Sequence, residues 1–222
     1  MILKILVCGP LMVNCYIVGD EETGEAAVFD PSGDVDRILE ALEDACLDVK
    51  YIINTHTHWD HVGGNRGLQE ATGAPILTHR DEAHALLEVS ERAARFGRGI
   101  ANSEASRFIE EGDLLELGSS PIEVLDLRGH SPAGLGFVFE GEVESKGVKK
   151  TTRAVICGDA LFAGSIGRTD FPGGDLDLLL ENIRNKIFIL PDDTLVLSGH
   201  GPASTVGHEK LSNPFFQDRP GR

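Results

Sequence analysis

Apolar residues open the chain in two runs, 2–8 and 12–18, split by Gly9-Pro10, and a third run, Ala26-Ala27-Val28-Phe29, stops at Asp30-Pro31-Ser32-Gly33. Short β-prone runs bounded by Gly and Pro predict strands joined by tight turns, here a meander growing from a sheet edge. Asp30 then reads as a cap or turn residue, with a carboxylate supporting a metal site as its other role. Between 34 and 47 the period changes: Val35, Ile38, Leu39, Leu42 and Ala45-Cys46 recur at spacings that suit a helix with one buried stripe. Val49-Lys50 leads into a strand at Tyr51-Ile52-Ile53-Asn54, a helix is predicted over 61–72 ending at Thr72-Gly73, and Pro75-Ile76-Leu77-Thr78 is a short strand. Residues 80–94 are rich in helix formers, and 87–107 read as an elaboration outside the core layers that could overhang a pocket.

The rest of the chain repeats the alternation. Strands over 113–117 and 122–127 flank Gly118-Ser119-Ser120-Pro121, and another begins over 135–139. Residues 140–152, with Lys149-Lys150, read as a solvent-facing hairpin excursion, and 154–157 return to the sheet. The glycines between Gly158 and Asp175 predict close backbone approaches rather than a regular element. Leu176, Leu179, Leu180, Ile183 and Ile187 mark a helix face, 194–197 a strand and 204–212 a last helix, and the tail from Asn213 shows no periodicity. Strands alternating with helices predict a layered α/β architecture.

Composition limits the partners. With 36 acidic against 20 basic residues, the formal charge of -16 disfavours a nucleic-acid backbone or an anionic membrane as partner. The 222 residues, 41% of them hydrophobic, can bury a sizeable core in one domain. Cys8, Cys15, Cys46 and Cys157 form no CxxC pair and lie in or beside apolar runs, which predicts buried thiols in a reducing cytoplasm. The opening apolar run is too short for a signal sequence, and none approaches a bilayer span.

One stretch carries the chemistry: Thr55-His56-Thr57-His58-Trp59-Asp60-His61. His56 and His58 are two apart, so a helix would not put them on one face, whereas a tight loop at a strand end can converge them. Asp60 and His61 are expected at a helix start, where exposed N–H groups and the dipole favour the carboxylate. His130, Asp159 and His200 each follow a β-prone run and each adjoin a glycine. Read singly, His130 or His200 is an ordinary loop residue. Five imidazoles and two carboxylates at strand ends together suit zinc, iron or manganese. His79 and His84, flanking the start of the 80–94 helix, read as surface or helix-end histidines.

These residues resemble the metallo-β-lactamase fold. His56-Thr57-His58-Trp59-Asp60-His61 matches its dinuclear metal motif, and His130, Asp159 and His200 match the later ligands in order. The resemblance implies a four-layer αββα sandwich, two sheets face to face with helices outside. It also implies that His56, His58 and His130 hold one divalent ion, that Asp60, His61 and His200 hold the other, and that Asp159 bridges them, with zinc the first candidate and iron or manganese the others. Within the fold the chain is similar to the glyoxalase II group of thioester hydrolases in its short form. Asn14-Cys15-Tyr16-Ile17-Val18, Asp30-Pro31, Gly129-His130-Ser131-Pro132, Gly164-Ser165-Ile166-Gly167-Arg168-Thr169-Asp170 and Gly199-His200-Gly201-Pro202 carry that likeness. It departs in two places. Only 22 residues follow His200, too few for the helical domain with which the long enzymes bind glutathione, and Arg128 stands before Gly129-His130 where that group usually has proline.

Paired metals would supply hydroxide at neutral pH and polarise a carbonyl, which suits cleavage of a small acyl thioester such as S-lactoylglutathione. Asp60 and Asp159 then act as ligands serving a metal-bound hydroxide nucleophile. Arg168 is a candidate pocket residue. Two other functions fit parts of the pattern. An iron-dependent persulfide dioxygenase, which the chain resembles around Gly167-Arg168-Thr169-Asp170-Phe171, would use one iron on His56, His130 and Asp159. A non-catalytic metal-binding module would need no complete two-metal set.

Overall fold

The computed structural model describes residues 1–118, 120–145 and 148–217, and the side chains of 142–150 lie outside that description. Strands β1 (Ile2–Cys8), β2 (Val13–Gly19) and β3 (Glu25–Phe29) form the predicted antiparallel meander. Strands β4 (Asp48–Ile53), β5 (Ile76–Thr78) and β6 (Arg107–Phe108) extend it in parallel. A second half-sheet contains β7 (Leu114–Leu117), β8 (Ser120–Asp126), β9 (Leu135–Ser145) and β10 (Val148–Gly158). After a two-residue hairpin, β11 (Leu161–Phe162) with β12 (Ser165–Ile166), it is completed by β13 (Leu195–Ser198) and β14 (Ser204–Thr205). The halves are joined in one hydrogen-bonded path by a single parallel pair, Ile2 opposite Glu142. The meander's outer strand is therefore a seam and not a free edge.

Strict alternation along the strands makes the layers. In β2, Tyr16 and Val18 face the gap between the half-sheets while Cys15 and Ile17 face the helices outside, and in β3 Ala27 and Phe29 alternate in the same way with Ala26 and Val28. The second half answers with Phe137, Phe139, Ala154 and Ile156 inward and Val138, Val155 and Cys157 outward. Phe29 and Phe137 meet across the gap with ring centroids 5.0 Å apart, a tilted aromatic contact worth about 0.5–1.5 kcal/mol beyond the area it buries.

The helices cover the outer faces. On the first half lie α1 (Val35–Glu43), α2 (Asn65–Thr72), α3 (Arg80–Leu87) and α4 (Val89–Ala94), which contribute Ile38, Leu42, Leu68, Leu86 and Val89 to its core. On the second lie α5 (Leu176–Asn182), continued by a π-helical turn over Ile183–Ile187, and α6 (Val206–Ser212). The result is the expected αββα sandwich.

Several boundaries differ from the sequence reading. The 61–72 helix begins only at Asn65; before it the chain makes a turn in which His61 donates to the His58 carbonyl, and Gly64 donates to the Pro31 carbonyl. Asp60 therefore gains no helix dipole. The 80–94 helix breaks at Glu88, whose φ of -118° leaves the helical region. The excursion at 140–152 is two long paired strands; its tip at 146–147 and the Lys149-Lys150 side chains lie outside the described residues.

Candidate metal centre

Every sequence-selected donor lies just beyond a strand at one end of the sandwich. The loop after β4 carries His56, His58, Asp60 and His61, His130 follows β8, Asp159 follows β10, and His200 follows β13. Of the glycines predicted to allow close approach, Gly167 does so here, where a Cβ would lie 1.8 Å from the Asp159 carbonyl oxygen, while one at Gly164 would meet nothing within 4 Å. Gly199, outside that stretch, is as tightly placed: a Cβ there would stand 2.2 Å from Asp159 Oδ1 and 2.7 Å from His61 Cε1.

Two donor sets result, each with ligating atoms within 4.8 Å of one another: His56, His58 and His130, and Asp60, His61 and His200. In the first, His58 Nδ1 is 3.0 Å from both His56 Nε2 and His130 Nε2. In the second, Asp60 Oδ2 is 3.8 Å from His61 Nε2 and 3.5 Å from His200 Nε2. Asp159 reaches both sets, with Oδ1 3.4 Å from His61 Nε2 and Oδ2 3.7 Å from His130 Nε2 and from His200 Nε2. Asp30, His56 and His61 make a third overlapping group, but Asp30 is already occupied by the hydrogen bonds described next.

The outer contacts determine which nitrogen faces inward. The Arg168 carbonyl can only accept, so His130 Nδ1–H donates to it at 2.7 Å, and His200 Nδ1–H likewise donates to the Leu11 carbonyl at 3.1 Å. His61 Nδ1–H donates to Asp30 Oδ2 at 3.0 Å. The Thr55 hydroxyl donates to Asp30 Oδ2 at 2.7 Å and therefore accepts from His56 Nδ1–H at 3.0 Å. Four Nε2 atoms consequently point to the middle, held by the kind of outer hydrogen bond that orients metal-ligating histidines. His61 Nε2 and Asp159 Oδ1 are buried without any hydrogen-bond partner. Buried polar atoms left without partners are costly, and a cation between them would remove that cost. The donor set of imidazoles and carboxylates fits divalent zinc, iron or manganese.

Two buried carboxylates that carry no metal-facing atom brace the loops. Asp30 accepts from the Thr55 amide at 2.8 Å besides its bonds to the Thr55 hydroxyl and His61. Glu82 on α3 accepts the Thr57 amide on Oε2 and the Ala133 amide on Oε1, both at 3.2 Å, and the Thr57 hydroxyl on Oε2. It thus ties the His56–His58 loop to the loop after His130. The cap or turn reading of Asp30 is corrected: its left-handed φ of 48° aims the carboxylate at Thr55 and His61. Glu82 went unseen in the sequence, since a glutamate inside a run rich in helix formers carries no local signal.

Among the protein groups alone, charge separates the two sets. Burial, then the neighbouring histidines, pushes His58 down to about 4 and His56 well below the usual imidazole value, and burial also lowers His130. These three are neutral, the form that ligates metals. Burial alone would lift Asp159, but His61, His130 and His200 outweigh it and bring the carboxyl down to about 2. Burial likewise opposes charge on His61, yet Asp159 and Asp30 raise it well above the usual value.

The remaining candidates fall outside the cluster or at its rim. His79 caps α3 by accepting from the Asp81 amide, and His84 pairs with Glu88 on the surface. The Arg168 guanidinium is exposed and held by both Asp170 oxygens at 2.9 and 3.0 Å, above the Phe171 ring, whose centroid is 5.5 Å from that of His58. Only its carbonyl touches the centre. The 87–107 segment packs on the ligand loop: Phe96 stacks on Trp59, centroids 5.4 Å apart, and Arg92 donates to the Thr57 carbonyl at 3.4 Å.

An αββα sandwich that gathers two imidazole–carboxylate sets at its strand ends is the scaffold of a metal-dependent enzyme. The family model described as Metallo-beta-lactamase superfamily matches residues 8–200, and the chain belongs to that superfamily. It is 38% identical over 211 residues to the hydroxyacylglutathione hydrolase GloC of Haemophilus influenzae, covering 93% of each chain. Among solved structures it is similar to the B3 metallo-beta-lactamase BLEG-1 (TM-score 0.84, 34% identity, 97% of this chain and 99% of that one). It is also similar to TTHA1623 in a di-iron-bound form (TM-score 0.80, 32% identity, 96% and 99%). The chain is a metal-dependent hydrolase of this superfamily with candidate sites for two ions.

Proposed function

We propose that the chain hydrolyses small acyl thioesters, S-lactoylglutathione being the first substrate to test, in a reducing cytoplasm that its free cysteines suit. The observation that carries the reading is that Asp159 touches both donor sets, so that one carboxylate can serve two ions. In this reading His56, His58 and His130 hold the first ion, Asp60, His61 and His200 the second, and Asp159 both. Similarity to a hydroxyacylglutathione hydrolase over nearly the whole chain supports the thioester as substrate. Zinc is the first metal to test, and the di-iron form of TTHA1623 supports iron beside it.

When bound, such ions supply water of lowered pKa and a Lewis acid for the thioester carbonyl. The protein's part is to hold the donors. Asp30 and Thr55 keep the Nδ1 protons of His61 and His56 outward, and the Arg168 and Leu11 carbonyls do so for His130 and His200. Phe171 sets an apolar ring beside His58 and His130. A thiolate leaves without a strong acid, which agrees with a centre whose carboxylates are all engaged as ligands or braces.

Protein of measured zinc, iron and manganese content decides the matter when assayed against acyl thioesters and, with oxygen uptake recorded, against glutathione persulfide. Metal-dependent release of thiol and acid without oxygen uptake is the expected result. Oxygen consumption with sulfite formation and negligible thioester cleavage would establish the dioxygenase instead. Full metal loading with neither activity would leave a binding module.

A further inference from the structure

The segment packed on the ligand loop carries a cationic element that the metal chemistry does not use. Arg92, Arg95 and Arg98 fall within seven residues of a chain whose formal charge is -16. Among the described residues no carboxylate lies within ion-pair distance of these three. Arg37, Arg66, Arg128, Arg153, Arg168 and Lys210 each have one, whereas Arg80, Arg107 and Arg184 among the described residues share the lack. Arg95 and Arg98, past the end of α4 and its acidic Glu88 and Glu91, are exposed and open to anions.

The element is fastened to the ligand loop at two points. Arg92 donates to the carbonyl of Thr57, between His56 and His58, and Phe96 stacks on Trp59, between His58 and Asp60. Val89 and Ala93, fully buried, anchor α4 from below, and Gly97 with a φ of 70° turns the chain so that Arg98 donates its amide back to the Ala93 carbonyl. Arg95 and Arg98 stay exposed, as does 65% of Phe96. An aromatic plate flanked by free guanidiniums is suited to an elongated molecule with an apolar stem and an anionic end. The other arginine at the rim, Arg168, is already neutralised by Asp170.

Resting on the thioester hydrolase reading, we propose that Arg92, Arg95 and Arg98 form the carrier-binding site: they hold the anionic end of the substrate's thiol carrier while its thioester reaches the metal centre. The anion is either a carboxylate, as in a glutathione-like peptide, or a phosphate, as in a coenzyme A-like carrier.

Trp59, the chain's one tryptophan, stands beside the patch and reports binding by fluorescence without any turnover. Metal-loaded protein is titrated with S-methylglutathione, S-methyl-coenzyme A and the uncharged N-acetyl-S-methylcysteamine. At least one anionic probe is expected to bind more tightly than the neutral one, with an advantage that shrinks as salt is raised. The double variant Arg95→Gln/Arg98→Gln is expected to weaken that probe about tenfold, the sum of two partly exposed ion pairs. Arg66→Gln, at an exposed arginine already paired with Glu70 on α2, serves as the control. Which anionic probe responds tells carboxylate from phosphate. Lactoyl thioesters of the same three thiols then separate the two claims. A ratio of kcat/KM, anionic to neutral, that falls in the double variant supports the site. Thioester hydrolysis with equal carrier preference in wild type and variant overturns the site but leaves the hydrolase. Arginine-dependent probe binding with no thioester cleaved overturns the hydrolase but leaves the anion site. Equal binding of neutral and anionic probes overturns the site outright.

Discussion

Replacing Glu82 by glutamine tests whether a buried carboxylate outside the metal's reach sets the geometry of the first donor set. Both Glu82 oxygens face backbone amides, Oε2 that of Thr57 and Oε1 that of Ala133. An amide side chain has one acceptor and one donor end, so in Glu82→Gln either rotamer points the new NH₂ at a backbone N–H. One charge-assisted bond is lost and one amide left unsatisfied at a position only 5% exposed. A hydrogen bond to a charged group is worth about 1.5–3 kcal/mol, which lowers Tm by about 3–12 °C in a chain of this length. The same energy, if felt wholly by the metal, equals a loss of affinity of about 10- to 150-fold. That overlaps the range usual for residues that orient ligands. Because Glu82 joins Thr57 to Ala133, the loss should fall on the ion that the proposal assigns to His56, His58 and His130 rather than on the one assigned to Asp60, His61 and His200. Chelator-competition titration resolves the two equivalents, and calorimetry gives Tm. Equal weakening of both ions, or a lowered Tm with both affinities intact, would refute the argument and reduce Glu82 to ordinary core support.

Asp159→Asn is expected to weaken both ions and to lower turnover by more than either metal loss alone explains, with stoichiometry read by elemental analysis and rate by thiol release. His79→Ala and His84→Ala should leave metal content at the wild-type value, since one caps a helix and the other pairs on the surface. Phe137→Ala, at a fully buried ring packed on Phe29, should cost about 3–5 kcal/mol in denaturant unfolding of the metal-free protein.

Strand alternation was legible wherever both faces of a half-sheet are buried, as in Tyr16 and Val18 against Cys15 and Ile17. The candidate donors were legible because four of them crowd one loop and the rest sit beside glycines at strand ends. What escaped was set by contacts distant in sequence. Asp30 finds Thr55, and Glu82 finds Thr57, each 25 residues away, and neither local stretch announces it. At the start of α2 the Gly64 amide likewise finds the distant Pro31 carbonyl, after a local turn from His58 to His61, and no periodicity records either.

The seam between the half-sheets has a consequence for how activity can be tuned. Among the described residues only Ile2 and Glu142 join the halves within the sheet path, while at the metal end an isolated bridge pairs Val13 with His200 and the Asn14 amide donates to the Gly199 carbonyl. Each donor set straddles the gap: its loop histidines hang from one leaf, and His130 or His200 from the other. The spacing of the donors within each set is thus a gauge of how the leaves sit, much as the gap of a caliper is set by its distant pivot. A methylene added or removed between the leaves, near Phe29 or Phe137, shifts that gauge without touching a ligand. Selection acting on interior packing can therefore retune reactivity at the rim.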